Sequence, residues 1–277
     1  MKLVGILAFV FVFNIVKGQY YYNDIIGNQQ NNQQFGLMRN AGVKNISVIY
    51  ASESSGADTI IQQQFAKDYS QSVTKFLGDT LQQSVIIKIY QNDRIQSSLE
   101  KNKSSEIQIE YGYDDLGRIK TINSVSKDRS DSAANYSVSE WHSWTYNNAG
   151  KPLQMFRIKN TTDTLTVNFV LDETGNVVEE HWLKRGVGIE TYYYYYNKEN
   201  RLTDIVRFNK KYKRLLPDFT FEYNTQGFVT QMLQVPNSSN TNYLIWNYTY
   251  NDKNLKQEEI CTNKQKQLVG KMEYVYQ

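Results

Sequence analysis

Counting back by twos from a series of turn-flanking positions, the chain repeats one chemistry. Tyr113, Tyr146, Leu171, Tyr196, Tyr223, Tyr250 and Tyr276 are preceded two residues earlier by Tyr111, Trp144, Phe169, Tyr194, Phe221, Tyr248 and Tyr274. Four residues earlier stand Ile109, His142, Val167, Tyr192, Phe219, Trp246 and Met272. The positions between are mostly polar, among them Gly112, Ser143, Thr145, Glu222, Asn247 and Thr249. Successive side chains of a strand point to opposite faces, so this pattern predicts strands with one buried, ring-rich face and one wet face.

The residues after each strand predict its turn. Asn or Asp follows directly (Asp114, Asn147, Asp172, Asn197, Asn224, Asn251), and Gly or Asn comes three residues later (Gly117, Gly150, Gly175, Asn200, Gly227, Asn254). An Asx side chain bonds its own backbone to open a turn, and Gly or Asn accepts the left-handed conformation that closes a bulged hairpin. The motif returns every 25 to 33 residues, room for two strands of about 5 to 10 residues with their turns. Return strands with weaker alternation fill 153–158, 177–183, 202–208 and 228–235. Upstream, 81–95 reads as a shortened copy in which Ile87 and Ile89 break the register. Segment 58–77 is read as strands, although Ile61, Phe65, Tyr69, Val73 and Phe76 would also suit a helix. The fold class is all-β: a long antiparallel meander of repeated hairpins, either an open sheet or one curled into a shell.

The run Tyr-Asp-Asp-Leu-Gly-Arg-Ile at 113–119 is similar to the tyrosine–aspartate motif of Rhs, or YD, repeat proteins, whose pattern is Tyr-Asp-x-x-Gly-Arg-Leu. The resemblance extends over about residues 81–277, with the other copies departing further from the motif. The chain resembles the small exported hairpin-repeat proteins of Gram-negative bacteria more than giant Rhs toxins. That resemblance implies a long sheet that curls and an extracytoplasmic placement, and it implies no catalytic residues.

The N-terminus agrees with export. Met1 and Lys2 precede an apolar run over 3–16, and small or branched residues stand before a cut site ahead of Gln19. Residues 1–18 therefore read as a secretory signal. A spanning helix needs about 20 apolar residues, so no integral membrane span is expected. Residues 19–44, rich in Asn and Gln, read as a flexible leader, and 45–277 as the hairpin-repeat domain.

Composition narrows function by exclusion. The 277 residues carry a formal charge of only +3, which excludes nucleic-acid binding by bulk charge. One cysteine, Cys261, permits no intramolecular disulfide, and two histidines, His142 and His181, leave little for metal cages or nucleophilic catalysis. No cofactor is expected. His142 lies on the ring-rich face and reads as structural, as does Cys261. Glu179 and His181 share a side of their strand, and Lys210 to Arg214 form a basic hairpin tip.

The wet face has exceptions, at Trp141, Tyr193, Tyr195 and Ile245. Exposed rings on a sheet stack on sugars or peptide, so these four are the candidate binding residues. The expected function is an exported, non-catalytic binding or scaffold module for an envelope or extracellular protein or glycan. One alternative is a glycan hydrolase using two carboxylates about 5 to 9.5 Å apart. A second is a structural protein that self-associates through strand edges.

Overall fold

The computed structural model describes residues 19–52, 55–77, 83–129, 136–235 and 242–277. The signal-like segment 1–18, the start of the shortened copy at 81 and 82, and the hairpin tip 236–240 lie outside the described residues.

A π-helical turn, Tyr21–Ile26, leads into helix α1, Gly27–Asn40. Strands β1 (Asn45–Ser52), β2 (Ser55–Phe65), β3 (Gln71–Phe76), β4 (Ser84–Gln91), β5 (Arg94–Asn102) and β6 (Ser105–Tyr113) follow. Next come β7 (Ile119–Asp128), β8 (Ser137–Tyr146), β9 (Pro152–Lys159), β10 (Asp163–Leu171), β11 (Val177–Lys184) and β12 (Val187–Tyr196). The chain ends with β13 (Leu202–Asn209), β14 (Arg214–Tyr223), β15 (Val229–Gln234), β16 (Leu244–Tyr250), β17 (Lys256–Asn263) and β18 (Leu268–Tyr276). Segment 58–77 holds two strands joined by a turn, in keeping with the strand reading of its sequence.

Every strand pairs antiparallel with its neighbours in sequence, and β18 returns to pair with β1, Ile46 opposite Tyr276 and Tyr50 opposite Met272. The meander is therefore a closed 18-stranded barrel and not an open sheet. Closure also pairs both end strands, which removes the free edges on which self-association by strand addition would depend.

The turn motif takes the expected form. Asp114 Oδ1 accepts from the backbone N–H of Leu116 and Arg118, and Asn147, Asp172, Asn197 and Asn251 do the same in their copies. Gly117 sits at φ 75° and Gly227 at φ 91°, where a β-carbon would be strained. A bulge precedes each turn tyrosine, as between Gly112 and Tyr113 or Glu222 and Tyr223.

The recurring tyrosine is a latch between copies. Tyr146 donates its hydroxyl to the carbonyl of Ile119 at 2.6 Å, Tyr196 to Val177 at 2.8 Å, Tyr223 to Leu202 at 2.6 Å and Tyr250 to Val229 at 2.7 Å. Each hydroxyl thus reaches the first residue of the preceding return strand. Leu171 stands at the same position in its copy and carries no hydroxyl. Cations sit on the same ladder: the Arg118 guanidinium lies 4.4 Å from the Tyr146 ring centre.

The bulge explains why return strands alternate weakly. It adds one residue to their first turn, so inward positions fall at the first residue, three on and five on. Ile119 and Ile122, Val177 and Glu180, and Leu202 and Ile205 are all buried in this way.

The barrel encloses the N-terminal helix, and the expected flexible leader is replaced by an internal plug. Tyr20 packs its ring against Trp182 and His142, Tyr21 against Tyr194, and Tyr22 against Phe219 and Phe221. Glu180, fully buried, accepts from the backbone N–H of Tyr20 at 2.9 Å and Tyr21 at 3.0 Å. The amide-rich stretch is ordered because its amides have partners on the wall. Asn32 Oδ1 accepts from the Ile95 N–H at 3.1 Å, and Asn28 Nδ2 donates to the Tyr113 hydroxyl. Phe35 stacks on Tyr90 at 3.8 Å. At the helix end Arg39 pairs with Asp93. Tertiary contact, and not intrinsic propensity, holds this helix.

The outer wall mixes charged and apolar side chains. Lys271 bridges Glu258 at 2.6 Å and Glu273 at 2.8 Å across β17 and β18. Exposed apolar side chains, among them Phe156, Val170, Tyr195 and Phe208, stand between such charged groups. No described helix is long and apolar enough to cross a membrane.

Candidate ligand-binding cavity

The plug does not fill the barrel. It packs closely against the walls from β5 to β14 and leaves, on its other side, a cavity of about 270 Å³. That is near the lower end of the range for small-molecule sites, roughly 300 to 1,000 Å³. Helix α1 forms one side with Gln30, Asn31 and Gln34, and the opposite wall is mostly ring surface, from Phe219 and Phe221 on β14 and Tyr248 and Tyr250 on β16. Apolar faces with a few amides suit a ligand with an apolar or aromatic body.

Among the described residues, two lysines and no Asp or Glu line the cavity. Lys256 is already compensated, with its Nζ 2.5 Å from Glu259, which also accepts from the Tyr274 hydroxyl at 2.6 Å. Lys88, on β4, projects inward between Ile86 and Tyr90. Burial lowers its pKa to about 8.

Several interior carboxylates elsewhere are engaged with protein. Asp24 of the π-helical turn meets His142 Nδ1 at 2.6 Å and accepts from Trp144 Nε1 at 3.1 Å, while His142 Nε2 meets Glu140 at 2.9 Å. Burial alone would lower the His142 pKa, but the two carboxylates outweigh it and hold it up at about 9. His142 is thus a structural group, as read from the sequence, tying plug to wall. Asp218 pairs with Arg207 at 3.0 Å and accepts from Gln19 at 2.9 Å. Cys261 is buried, its thiol pushed up to about 12 by burial first and by Glu259 second. Among the described residues no group of three or more potential metal ligands occurs.

The four residues predicted from the sequence are not brought together. Trp141 on β8, Tyr193 and Tyr195 on β12 and Ile245 on β16 all lie on the outer wall. Four strands separate each from the next group, about 19 Å at the usual strand spacing. Tyr195 is 49% exposed and Trp141 38%, Tyr193 lies opposite Val206, and Ile245 lies opposite Leu233. They are separate surface side chains. His181 pairs with Glu179 on that same outer wall, and Lys210 to Arg214 form an exposed turn.

Lys88 was missed, although a signal for it is present. Tyr90 is the turn tyrosine of the shortened copy, and Lys88 is two residues before it. The other copies carry Tyr111, Trp144, Phe169, Tyr194, Phe221, Tyr248 and Tyr274 there. Ile87 and Ile89, which seemed to break the register, point outward, as the 39% exposure of Ile89 shows.

The fold defines the class as a closed antiparallel barrel of repeated hairpins around an internal helix. No protein-family model matches the chain, and no curated protein matches it. Among solved structures it is similar to a porin-like protein from Bacteroides uniformis, with 9% identity, a TM-score of 0.40, and coverage of 85% of this chain and 96% of that one. It is also similar to a porin-like protein from Bacteroides vulgatus, at 10% identity and a TM-score of 0.31, covering 85% and 99%. A third likeness is to TcdB2-TccC3-TEV, at 11% identity and a TM-score of 0.34, covering 78% of this chain but only 12% of that one.

Proposed function

We propose that this chain is an exported, non-catalytic binding module of the cell envelope or exterior, and that its ligand occupies the barrel lumen and not the outer wall. The observation that carries this reading is the cavity of about 270 Å³ between α1 and the ring-lined wall. A binding site needs such a partly apolar recess with a few placed polar groups. Export is supported by the signal-like pattern of residues 1–18. Binding is favoured over hydrolysis because the described residues that line the cavity include no carboxylate, whereas glycoside cleavage ordinarily uses two.

The test is calorimetric titration of the mature protein with 1-octanol, a small neutral amphiphile. Met232 lines the cavity, and Met232→Trp is expected to fill it and weaken binding at least tenfold. Tyr193→Ala and Tyr195→Ala are expected to leave binding unchanged. Binding that survives Met232→Trp and is lost with the two alanine variants would move the site to the outer wall.

A further inference from the structure

The inward layer two residues before each turn tyrosine is a belt of rings, and at one place that belt carries a cation. Lys88 replaces the ring on β4, opposite Ser72 on β3 and Ser98 on β5. Its Nζ makes no hydrogen bond or ion pair with any described residue. Among the described residues no Asp or Glu lines the cavity, and Lys256 is neutralised by Glu259. An unpaired ammonium inside a ring-lined recess is costly to keep. Resting on the reading of the lumen as the binding site, we propose that the ligand is a small amphipathic carboxylate. Its apolar body lies among Phe219, Phe221 and Tyr248, and its carboxylate forms an ion pair with Lys88.

The surroundings support an anion over a neutral or cationic ligand. Gln63, on β2, adds an amide to the same cavity. Helix α1 contributes amides and no acid to the cavity wall. Glu100 on β5, opposite Ile86, is the nearest inward carboxyl along the sheet; burial raises its pKa, and it makes no ion pair with Lys88. The phenols facing the cavity do not ionise near neutrality, since burial pushes Tyr90 and Tyr223 up to about 12 and the others further. Lys88, with its pKa lowered to about 8 by burial, loses its charge between pH 7 and 9.5.

The experiment compares octanoate with 1-octanol, two probes that differ chiefly in the head group. On the wild type at pH 7, octanoate is expected to bind at least tenfold tighter than octanol. Lys88→Met is expected to abolish that preference while keeping octanol affinity within about threefold. Raising the pH from 7 to 9.5 on the wild type, which needs no variant, is expected to weaken octanoate and leave octanol unchanged. Octanol binding equal to or tighter than octanoate would overturn the carboxylate inference and leave the lumen reading standing. A preference that persists in Lys88→Met and at pH 9.5 would place the counter-ion elsewhere and also overturn it. Absence of binding by either probe would overturn the lumen reading itself.

Discussion

Deleting residues 19–40 is expected to leave a chain that no longer melts cooperatively, because the plug is part of the core. Tyr20, Ile25 and Phe35 are all less than 9% exposed inside the barrel. Full burial of each contributes about 1.5 to 3 kcal/mol, so the three together account for roughly 5 to 9 kcal/mol, comparable to the whole stability of an ordinary domain, about 5 to 15 kcal/mol. Their removal would also strand interior polar groups, His142 and Glu180 among them, that the plug now satisfies. Circular-dichroism melting of the truncated and full chains tests this. A truncated chain with an unchanged, sharp transition would show that the barrel folds without its plug.

Glu180→Leu is expected to destabilise the full chain by about 3 to 5 kcal/mol, the range for leaving buried polar partners without their counterpart. Four donors converge on that carboxylate: the N–H groups of Tyr20 and Tyr21, Trp182 Nε1 at 2.7 Å and the Tyr194 hydroxyl at 2.6 Å. Burial pushes the carboxyl up while these donors oppose it, and leucine supplies no acceptor for any of them. For a chain of this size the loss corresponds to a fall in Tm of roughly 10 °C. Met155 and Ile205 hold the equivalent inward position in neighbouring copies, so leucine fits the geometry of the wall. An unchanged Tm would show that Glu180 does not anchor the plug.

The turns and the inward rings were legible in the sequence because both are local. Asp114 bonds to residues within four of itself, and Tyr111 and Tyr113 share a face by strand geometry alone. Closure was not legible, since the pairing of Ile46 with Tyr276 joins opposite ends of the chain and leaves no local mark. The plug was misread for a related reason. Composition suggests a loose amide-rich tract, but Asn32 is ordered by Ile95, Gln19 by Asp218 and the Tyr20 backbone by Glu180, partners that lie 63 to 199 residues away. The sequence offers candidate site residues among exceptions on the polar face, whereas the proposed lumen site centres on an exception on the ring-rich face, Lys88. Bulges concealed the other interior acids, because Glu180 and Glu259 fall on odd offsets that a strict period of two assigns to solvent.

The titration of His142 reads the position of the plug directly. Asp24 raises the His142 pKa only if the π-helical turn lies inside the barrel beside β8. The folded state holds this proton more tightly than an unfolded chain would. The pair's stabilisation is therefore complete below about pH 6.5 and fades as the pH rises through about 9. Imidazole NMR follows His142 in the wild type and in Asp24→Asn, with His181 as a separate resonance. The internal plug predicts a His142 midpoint near 9 that drops in the variant. A wild-type midpoint at the ordinary value, unmoved by Asp24→Asn, would contradict it.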